Sequence, residues 1–157
     1  MGQLGYGAMV TWHDVAAGGD AELEHWHSRE HIPERVGITG FLRGRRFVAV
    51  SGTPKYLIAY DVKNLETLTS EEYLRRLNNP TPWTRDGVAA FRNANRTLCR
   101  VTGSFGIGIG AMLLSIQLSP APGKAEELRL WLVGGVLPGL AQKPGLVSAT
   151  LLEGDEA

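Results

Sequence analysis

The strongest constraint on the fold of this chain is an internal repeat. Four short patterns return in the same order near its end: GAMV at residues 7–10 as GAML at 110–113, ELxxW at 22–26 and again at 127–131, IP at 32–33 as LP at 137–138, and GF at 40–41 as GL at 145–146. The separation is 103 residues for the first pattern and 105 for the others. Self-similarity at a fixed spacing marks a duplicated structural unit. The sequence therefore predicts a first repeat over residues 7–105 and the first half of a second over residues 110–157.

The hydrophobic pattern of the first repeat predicts the element order β-α-β-β-α-β. Strands are expected at residues 8–14, 41–50, 55–62 and 96–102, with a further helix at residues 83–94. Asp20 is the expected N-cap of the first helix, and Thr69 with Glu72 forms the expected capping box of the next. This order is the ferredoxin-like arrangement, an α+β fold with an antiparallel sheet. The second repeat is expected to supply a strand, a helix and a strand at residues 111–118, 125–137 and 146–153, after a glycine-rich connection at residues 103–108.

Composition and charge exclude several classes of protein. The 157 residues include 16 basic and 16 acidic side chains, so no nucleic-acid partner is expected. The single cysteine, Cys99, excludes an intrachain disulfide and fits a reducing, cytoplasmic location. Residues 101–123 carry no charge, but the glycines among them make a poor helix, so no membrane span is expected.

Three of the four histidines, at positions 25, 27 and 31, lie within seven residues of the predicted first helix, and two of them share one helix face. His27 and His31 are spaced by four residues, and Trp26 and Glu30 have the same spacing beside them. In the second repeat, Leu132 and Val136 stand at the positions of His27 and His31, whereas Trp26 is matched by another tryptophan. Positions that one repeat fills with apolar side chains are expected to face the sheet. We therefore expect His27 and His31 to be more buried than His25.

The segment from His27 to His31 also spells HxxEH, the inverted form of a zinc-protease motif. Two imidazoles one helical turn apart can share a metal, but such a site needs a third ligand from a later helix. No histidine follows His31, and Pro33 ends the helical pattern. No metal is therefore expected. The pair remains open to two interpretations, a structural one in which neighbours satisfy the imidazoles and a functional one in which they line a ligand cavity.

The segment from Trp26 to Pro33, together with Gly40 and Phe41, resembles the EthD-type branch of the dimeric α/β-barrel superfamily. The resemblance implies ferredoxin-like units whose sheets pack in pairs into a barrel, with a cavity between sheet and helices. It carries over His31, Trp26 and Glu30 as site residues, whereas His27 is an addition of this sequence. Related barrels include monooxygenases, polyketide cyclases, isomerases and haem enzymes.

Four further side chains are candidates for the same cavity. His13 lies on the first strand, where the second repeat has Ile116. Arg43 and Arg45 alternate with aromatic residues along the second strand and could anchor a carboxylate or an enolate oxygen. Trp83 follows a proline-rich break and is either a core plug or a platform for a ligand.

Two functional hypotheses follow from these residues. In the first, the protein is an enzyme for a small aromatic or polyketide-like molecule, such as a cyclase, an isomerase or a cofactor-free monooxygenase. His31 or His27 would act as general acid or base, Glu30 would orient an imidazole, and no cofactor would be needed. In the second, the protein is a non-catalytic ligand-binding or assembly module. A haem protein with one axial histidine is a third class that the sequence does not distinguish.

The second repeat also predicts self-association. A ferredoxin-like sheet has the spatial order 4-1-3-2, so the strands expected at residues 111–118 and 146–153 would enclose an empty slot. Unpaired strand edges lead to association. We expect either a shortened form of a two-repeat protein or a slot filled by the first repeat or by another subunit, and in both cases a homo-oligomer whose interface involves the sheets.

Overall fold

The computed structural model describes residues 2–155. The chain divides into two compact units. The first unit comprises residues 4–100 with residues 154 and 155, and the second unit comprises residues 101–153 with residues 2 and 3.

The first unit has the predicted β-α-β-β-α-β order. Its elements are β1 (Gly7–Val15), α1 (Asp20–Trp26), a π-helical turn (His27–His31), α2 (Ile32–Val36), β2 (Phe41–Val48), β3 (Tyr56–Val62), a 3₁₀ turn (Leu65–Thr69), α3 (Glu71–Asn78), α4 (Pro82–Ala89) and β4 (Phe91–Gly106), whose last residues belong to the second unit. The strands stand in the order β2-β3-β1-β4, and every pairing among them is antiparallel. The predicted fold class, an α+β ferredoxin-like sheet, is confirmed.

The helices cover one face of this sheet and enclose two apolar clusters. The larger cluster joins β1, β2 and β3 to α3 and is formed by Met9, Ile38, Phe41, Ile58, Tyr60, Val62, Leu68 and Tyr73. The smaller cluster joins α1 to the sheet through Leu23, Trp26 and Tyr56, and Trp83 and Phe91 pack against it. Trp26 is fully buried in it, at 0% exposure. The segment that carries the histidines is therefore fixed to the sheet at its centre.

Two predicted helix caps differ from the observed ones. Gly19 rather than Asp20 precedes α1, because the carboxylate of Asp20 instead accepts hydrogen bonds from Lys55 and from the hydroxyl of Tyr56. Ser70 rather than Thr69 caps α3, and its hydroxyl accepts from the backbone N–H of Tyr73 at 3.2 Å.

The fourth strand begins earlier and ends later than predicted. Residues 91–94 were expected to be helical, but β4 begins at Phe91 because its first residues pair with the end of β1. A bulge interrupts that pairing, and the left-handed Asn93 donates a 2.9 Å hydrogen bond to the carboxylate of Asp14 there. Residues 103–106 were expected to form a connection, but they continue the strand. Long-range pairing outweighs local propensity at both ends.

The second unit repeats the helical geometry of the first. It contains α5 (Ala125–Trp131), a π-helical turn (Leu132–Val136), α6 (Leu137–Ala141) and β5 (Ser148–Gly154), which lies beside β4 in the sheet order. The two helices and the turn begin and end 105 residues after α1, the first π turn and α2. The glycine after each of the two segments has the same left-handed backbone, with φ of 91° at Gly40 and 87° at Gly145. The division into repeats at residues 7–105 and 110–157 stays a prediction.

The strand predicted at residues 111–118 does not form. Residues 109–121 contain neither helix nor strand, and their apolar side chains are exposed to solvent. A β-strand needs a neighbour that satisfies its backbone groups, and this segment is not one of the five strands of the sheet among residues 2–155. Within the same residues, no helix has both the length and the apolar character that a bilayer crossing requires.

The contact between Trp26 and α4 yields a stability prediction. A Cβ added at Gly87 would lie 2.5 Å from two ring carbons of Trp26. We expect Gly87→Ala to lower the free energy of unfolding by about 1–3 kcal/mol, because overpacking outweighs the roughly 1 kcal/mol that alanine gains over glycine in a helix. Urea denaturation measures the change. Gly139→Ala in α6 is the matched control, because nothing lies within 4 Å of its added Cβ. A stabilised Gly87→Ala variant would contradict the tight packing of Trp26.

Candidate functional site

The π-helical turn brings His27 and His31 together beneath the indole of Trp26. The two imidazole centroids lie 5.1 Å apart, and the centroid of the Trp26 ring is 4.9 Å from that of His27 and 4.6 Å from that of His31. His27 is fully buried, His31 is partly buried and His25 is exposed. The predicted order of burial is confirmed. Turns of this type occur frequently at functional sites.

The imidazoles of this cluster have unsatisfied nitrogens. Both ring nitrogens of His27, Nδ1 of His31 and Nε2 of His13 are buried without a hydrogen-bond partner among the described residues. A buried polar group without a partner costs about 1–3 kcal/mol. In the second repeat, Leu132 and Val136 stand at the positions of His27 and His31, on a helical segment with the same element lengths. This helical segment therefore does not itself require histidine at those two positions.

His13 belongs to the same cluster from the side of the sheet. Its fully buried ring stacks on Phe91 at 3.8 Å and on Tyr56 at 5.4 Å between centroids. The Nδ1–H group of His13 donates to the carbonyl oxygen of Asp14 at 2.9 Å. This bond fixes the tautomer of the ring, so that Nε2 is the basic nitrogen when the ring is neutral.

Burial keeps the imidazoles neutral. Desolvation, assisted by the nearby His31, Arg46 and His13, lowers the pKa of His27 to about 2. Desolvation and the charge of Arg35 lower the pKa of His31 to about 3. The pKa of His13 is also lowered, mainly by burial. At neutral pH these side chains are uncharged donors and acceptors, and they are weak bases, because an efficient general base has a pKa near the working pH.

Glu30 is held by the start of α4 rather than by an imidazole. Its Oε1 accepts hydrogen bonds from the hydroxyls of Thr81 at 2.6 Å and Thr84 at 3.1 Å. The hydroxyl of Thr84 in turn accepts from Nε1 of Trp26 at 3.3 Å. In this structure Glu30 therefore positions Trp26 and the π turn through Thr84. Its predicted part in orienting a histidine stays a prediction.

Arg43 and Arg45 already have a counterion. Both guanidinium groups form ion pairs with Asp61, which lies opposite Arg43 on β3 and is almost fully buried. The distance from Nη2 of Arg45 to Oδ1 of Asp61 is 3.3 Å. A carboxylate ligand at these arginines would compete with Asp61, and their predicted anchoring role stays a prediction.

Trp83 lies at the edge of the smaller cluster. Its ring meets His25 edge-on at 5.3 Å, and its Nε1 donates to Oε1 of Glu22 at 2.6 Å. It thereby closes the end of α1 from the solvent side and does not reach the imidazole pair.

Sequence reasoning did not select Arg35 and Tyr60, which extend the polar interior. Arg35 follows His31 by four residues and is only 4% exposed, and the buried hydroxyl of Tyr60 has no hydrogen-bond partner among the described residues. The signal for Arg35 was available, because it continues the four-residue spacing of His27 and His31, and its counterpart in the second repeat is Leu140.

A metal site is not apparent in the described part of the chain. Among residues 2–155, no group of three or more histidine, cysteine, aspartate or glutamate side chains is arranged to hold a metal ion. The expectation that the protein uses no metal stays a prediction.

Comparison with known proteins found no matching family model and no matching curated protein. The solved structure of the heme-degrader MhuD from Mycobacterium tuberculosis, with two hemes bound in its active site, is similar with a TM-score of 0.47 and 17% identity, over 65% of this chain and 99% of that one. The structure of a mutant of MhuD with two manganese protoporphyrin IX bound per active site is similar with a TM-score of 0.40 and 16% identity, over 59% of this chain and 90% of that one. Similarities of this strength support no inference about residues or activity, so the fold assignment rests on the sheet order, and the EthD-type resemblance stays a prediction.

Replacing His27 and His31 by the corresponding residues of the second repeat tests whether the two histidines stabilise the fold. We expect the double variant His27→Leu and His31→Val to raise the free energy of unfolding by about 1–3 kcal/mol at pH 7, because it removes unsatisfied buried nitrogens. Urea denaturation measures the change, and His25→Leu, at an exposed position, is expected to stay within about 0.5 kcal/mol of the wild type. A large loss of stability would mean that the imidazoles have structural partners.

The depressed pKa values also predict a pH dependence. In the unfolded chain a histidine has a pKa of 6.5, whereas His27 and His31 have values of about 2 and 3 when folded. Stability should be insensitive to these groups above about pH 6.5 and should fall as the pH drops toward 3, by up to about 1.4 kcal/mol per pH unit and histidine. Urea titrations between pH 8 and pH 4 measure the slope. The slope should be smaller in the double variant; an equal slope would assign the dependence to other groups.

Proposed function

We propose that this protein binds a small, partly apolar or aromatic molecule at the imidazole pair of His27 and His31. The observation that carries the proposal is the set of buried ring nitrogens without partners at positions where the second repeat has Leu132 and Val136. Retaining such groups reduces stability, and proteins commonly retain destabilising groups where function requires them. The aromatic rings of Trp26 and Phe91 supply an apolar wall for the ligand.

Entry of the ligand would begin at His31. This imidazole is partly exposed, whereas His27 and His13 behind it are fully buried. The unsatisfied nitrogens raise the free energy of the closed form, so a displacement of the π turn that admits a polar ligand forfeits few hydrogen bonds. A bound ligand would then supply the partners that His27 and His31 lack.

Acid/base catalysis is the more specific form of this proposal. A developing negative charge on the ligand would raise the low pKa values of His27 and His31 toward neutrality, which is what a general acid or base requires. His31 would exchange the proton because it reaches solvent, and His27 would hold the ligand. Glu30 would act indirectly, because it holds Thr84, which in turn binds Trp26. Such proton transfers fit a cyclase, an isomerase or a cofactor-free monooxygenase, and need no cofactor.

A non-catalytic binding module is the alternative. It is favoured by pKa values that leave both imidazoles weak bases before a ligand arrives. Haem binding through one histidine is the third class, and an absorption spectrum with added haemin distinguishes it by a Soret band that is lost on substitution of His31 or His27.

We also propose that the protein is a homo-oligomer that associates through residues 112–118. Met112, Leu114, Ile116 and Leu118 alternate with the other residues and are 72%, 82%, 67% and 59% exposed. This is the pattern of a strand with one apolar face. Residues 101–123 carry no charge, so two copies can approach without like-charge repulsion. Pairing of the segment with itself about a two-fold axis would form antiparallel strands and bury both apolar faces.

Ligand binding is tested by a thermal-shift screen of aromatic and polyketide-like molecules. We expect a molecule that raises the melting temperature of the wild type to lose its effect in His31→Ala and in His27→Leu, because each removes a hydrogen-bonding partner of the ligand. His25→Ala is the control and should keep the full shift. Shifts that are equal in all four proteins would contradict a site at the imidazole pair.

The interface is tested by placing charge on it. We expect Leu114→Lys and Ile116→Lys to convert an oligomer into a monomer in light scattering coupled to size exclusion, because buried like charges would meet across the two-fold axis. Val50→Lys, at a position that is also highly exposed but lies in the β2–β3 turn, is the matched control and should leave the oligomer intact. A monomeric wild type, or an oligomer unaffected by both lysines, would refute this interface.

A further inference from the structure

Arg35 carries a positive charge into the interior of the first unit without a counterion. The residue is 4% exposed, and its Nη1 is buried without a hydrogen-bond partner. Arg35 forms none of the ion pairs found among residues 2–155. The positive charge of a guanidinium group is permanent in proteins. Burial of an unpaired charge is among the most unfavourable arrangements in a protein.

The groups around Arg35 are mostly donors. The guanidinium lies over the ring of Tyr73, 5.7 Å from its centroid. The hydroxyl of Tyr73 already accepts a hydrogen bond from Arg96 at 2.6 Å. The hydroxyl of Tyr60 is buried without a partner, and burial raises its pKa, so it remains a protonated donor. His31, one helical turn before Arg35, has a buried Nδ1 without a partner.

The nearest acidic residue in sequence, Glu34, forms no ion pair with Arg35, although the charges of both residues act on the hydroxyl of Tyr60. Glu34 pairs through Oε1 with Arg76 at 3.4 Å, and its Oε2 is buried without a partner. By contrast, Arg43 and Arg45 share the carboxylate of Asp61. Arg46, also on β2, donates to the carbonyl oxygen of Glu24 and to the hydroxyl of Ser28. Of the arginines on α2 and β2, Arg35 is therefore the one whose guanidinium has no hydrogen-bond acceptor among the described residues.

The second repeat indicates that the fold can form without this arginine. Its equivalent residues are Leu132, Val136 and Leu140, where the first repeat has His27, His31 and Arg35. The two segments have helical elements of the same type and length, including the π turn. On equivalent helical segments, the first repeat therefore has polar side chains at three positions where the second repeat has apolar ones.

We propose that Arg35, together with the hydroxyl of Tyr60 and Nδ1 of His31, forms a binding site for a carboxylate group. The site accepts an apolar or aromatic carboxylic acid, whose carboxylate meets Arg35 and whose body packs against the rings of Phe41 and Tyr73. This inference rests on the proposed function, since the same ligand would contact His31. It specifies in addition that the ligand is negatively charged. The guanidinium provides the parallel donors that match a carboxylate.

The test compares an acid with its neutral amide. Calorimetric titration of the full chain with 1-naphthoate and with 1-naphthamide is expected to give at least about tenfold weaker binding of the amide, as for loss of a charge-assisted hydrogen bond. In Arg35→Leu, the residue of the second repeat, the preference for the acid should disappear while binding of the amide is unchanged. Tyr60→Phe should weaken binding of the acid severalfold. Arg85→Leu, at an exposed position on α4, is the matched control and should keep the preference.

The possible outcomes separate this inference from the proposed function. Equal binding of acid and amide by the wild type, or an acid preference that survives in Arg35→Leu, overturns the carboxylate site. If the acid does not bind, the carboxylate site is also overturned, whereas the proposed function stands if neutral aromatic probes still bind in a manner that His31→Ala abolishes. If Arg35→Leu does not fold, Arg35→Lys replaces it, and retention of the full acid preference there, with the parallel donors removed, counts against the site.

Discussion

The packing of Trp26 is the interaction on which the histidine site depends. Its indole is fully buried, lies against Gly87 of α4 and donates to Thr84, which Glu30 also binds. This contact fixes the helical segment against the sheet at the point where the π turn begins. The positions of the residues that follow the tryptophan, from His27 to Arg35, are consequences of that anchor. A residue larger than glycine at position 87 would meet the ring of Trp26.

The same backbone segment occurs twice in this chain with different interiors. In the first unit it presents two imidazoles and a guanidinium to the interior, and in the second it presents aliphatic side chains. Apolar side chains at such positions stabilise through burial, whereas unsatisfied polar groups reduce stability. The first unit therefore retains an energetically unfavourable interior that the second unit avoids. The two segments can therefore be compared within one chain. Side chains that differ between them are not required for the helical elements that they share.

The second unit lacks the cover that the first unit has. Trp131 is 62% exposed, whereas its counterpart Trp26 is fully buried. A cleft of about 360 Å³ lies beside it, lined by Ser119, Pro120, Ala121, Lys124, Glu127, Leu128 and Trp131. In the first unit the equivalent helix face is covered by Tyr56, Trp83 and Phe91. Exposed aromatic and aliphatic surface of this kind is typical of interaction sites, which agrees with the proposed homo-oligomer.

The sequence by itself determined the order of the elements in the first unit and the helix face on which His27 and His31 lie, because periodicity and spacing are local properties of the chain. Only the tertiary structure decided which partners these residues meet. Glu30 binds threonines of α4, Arg43 and Arg45 meet Asp61, and β4 begins at Phe91 because β1 is there to pair with it. Each of these outcomes depends on residues far apart in sequence, which local patterns do not encode. Residues 111–118 are a further case, since they have the sequence pattern of a strand but are not one of the five strands of the sheet among residues 2–155.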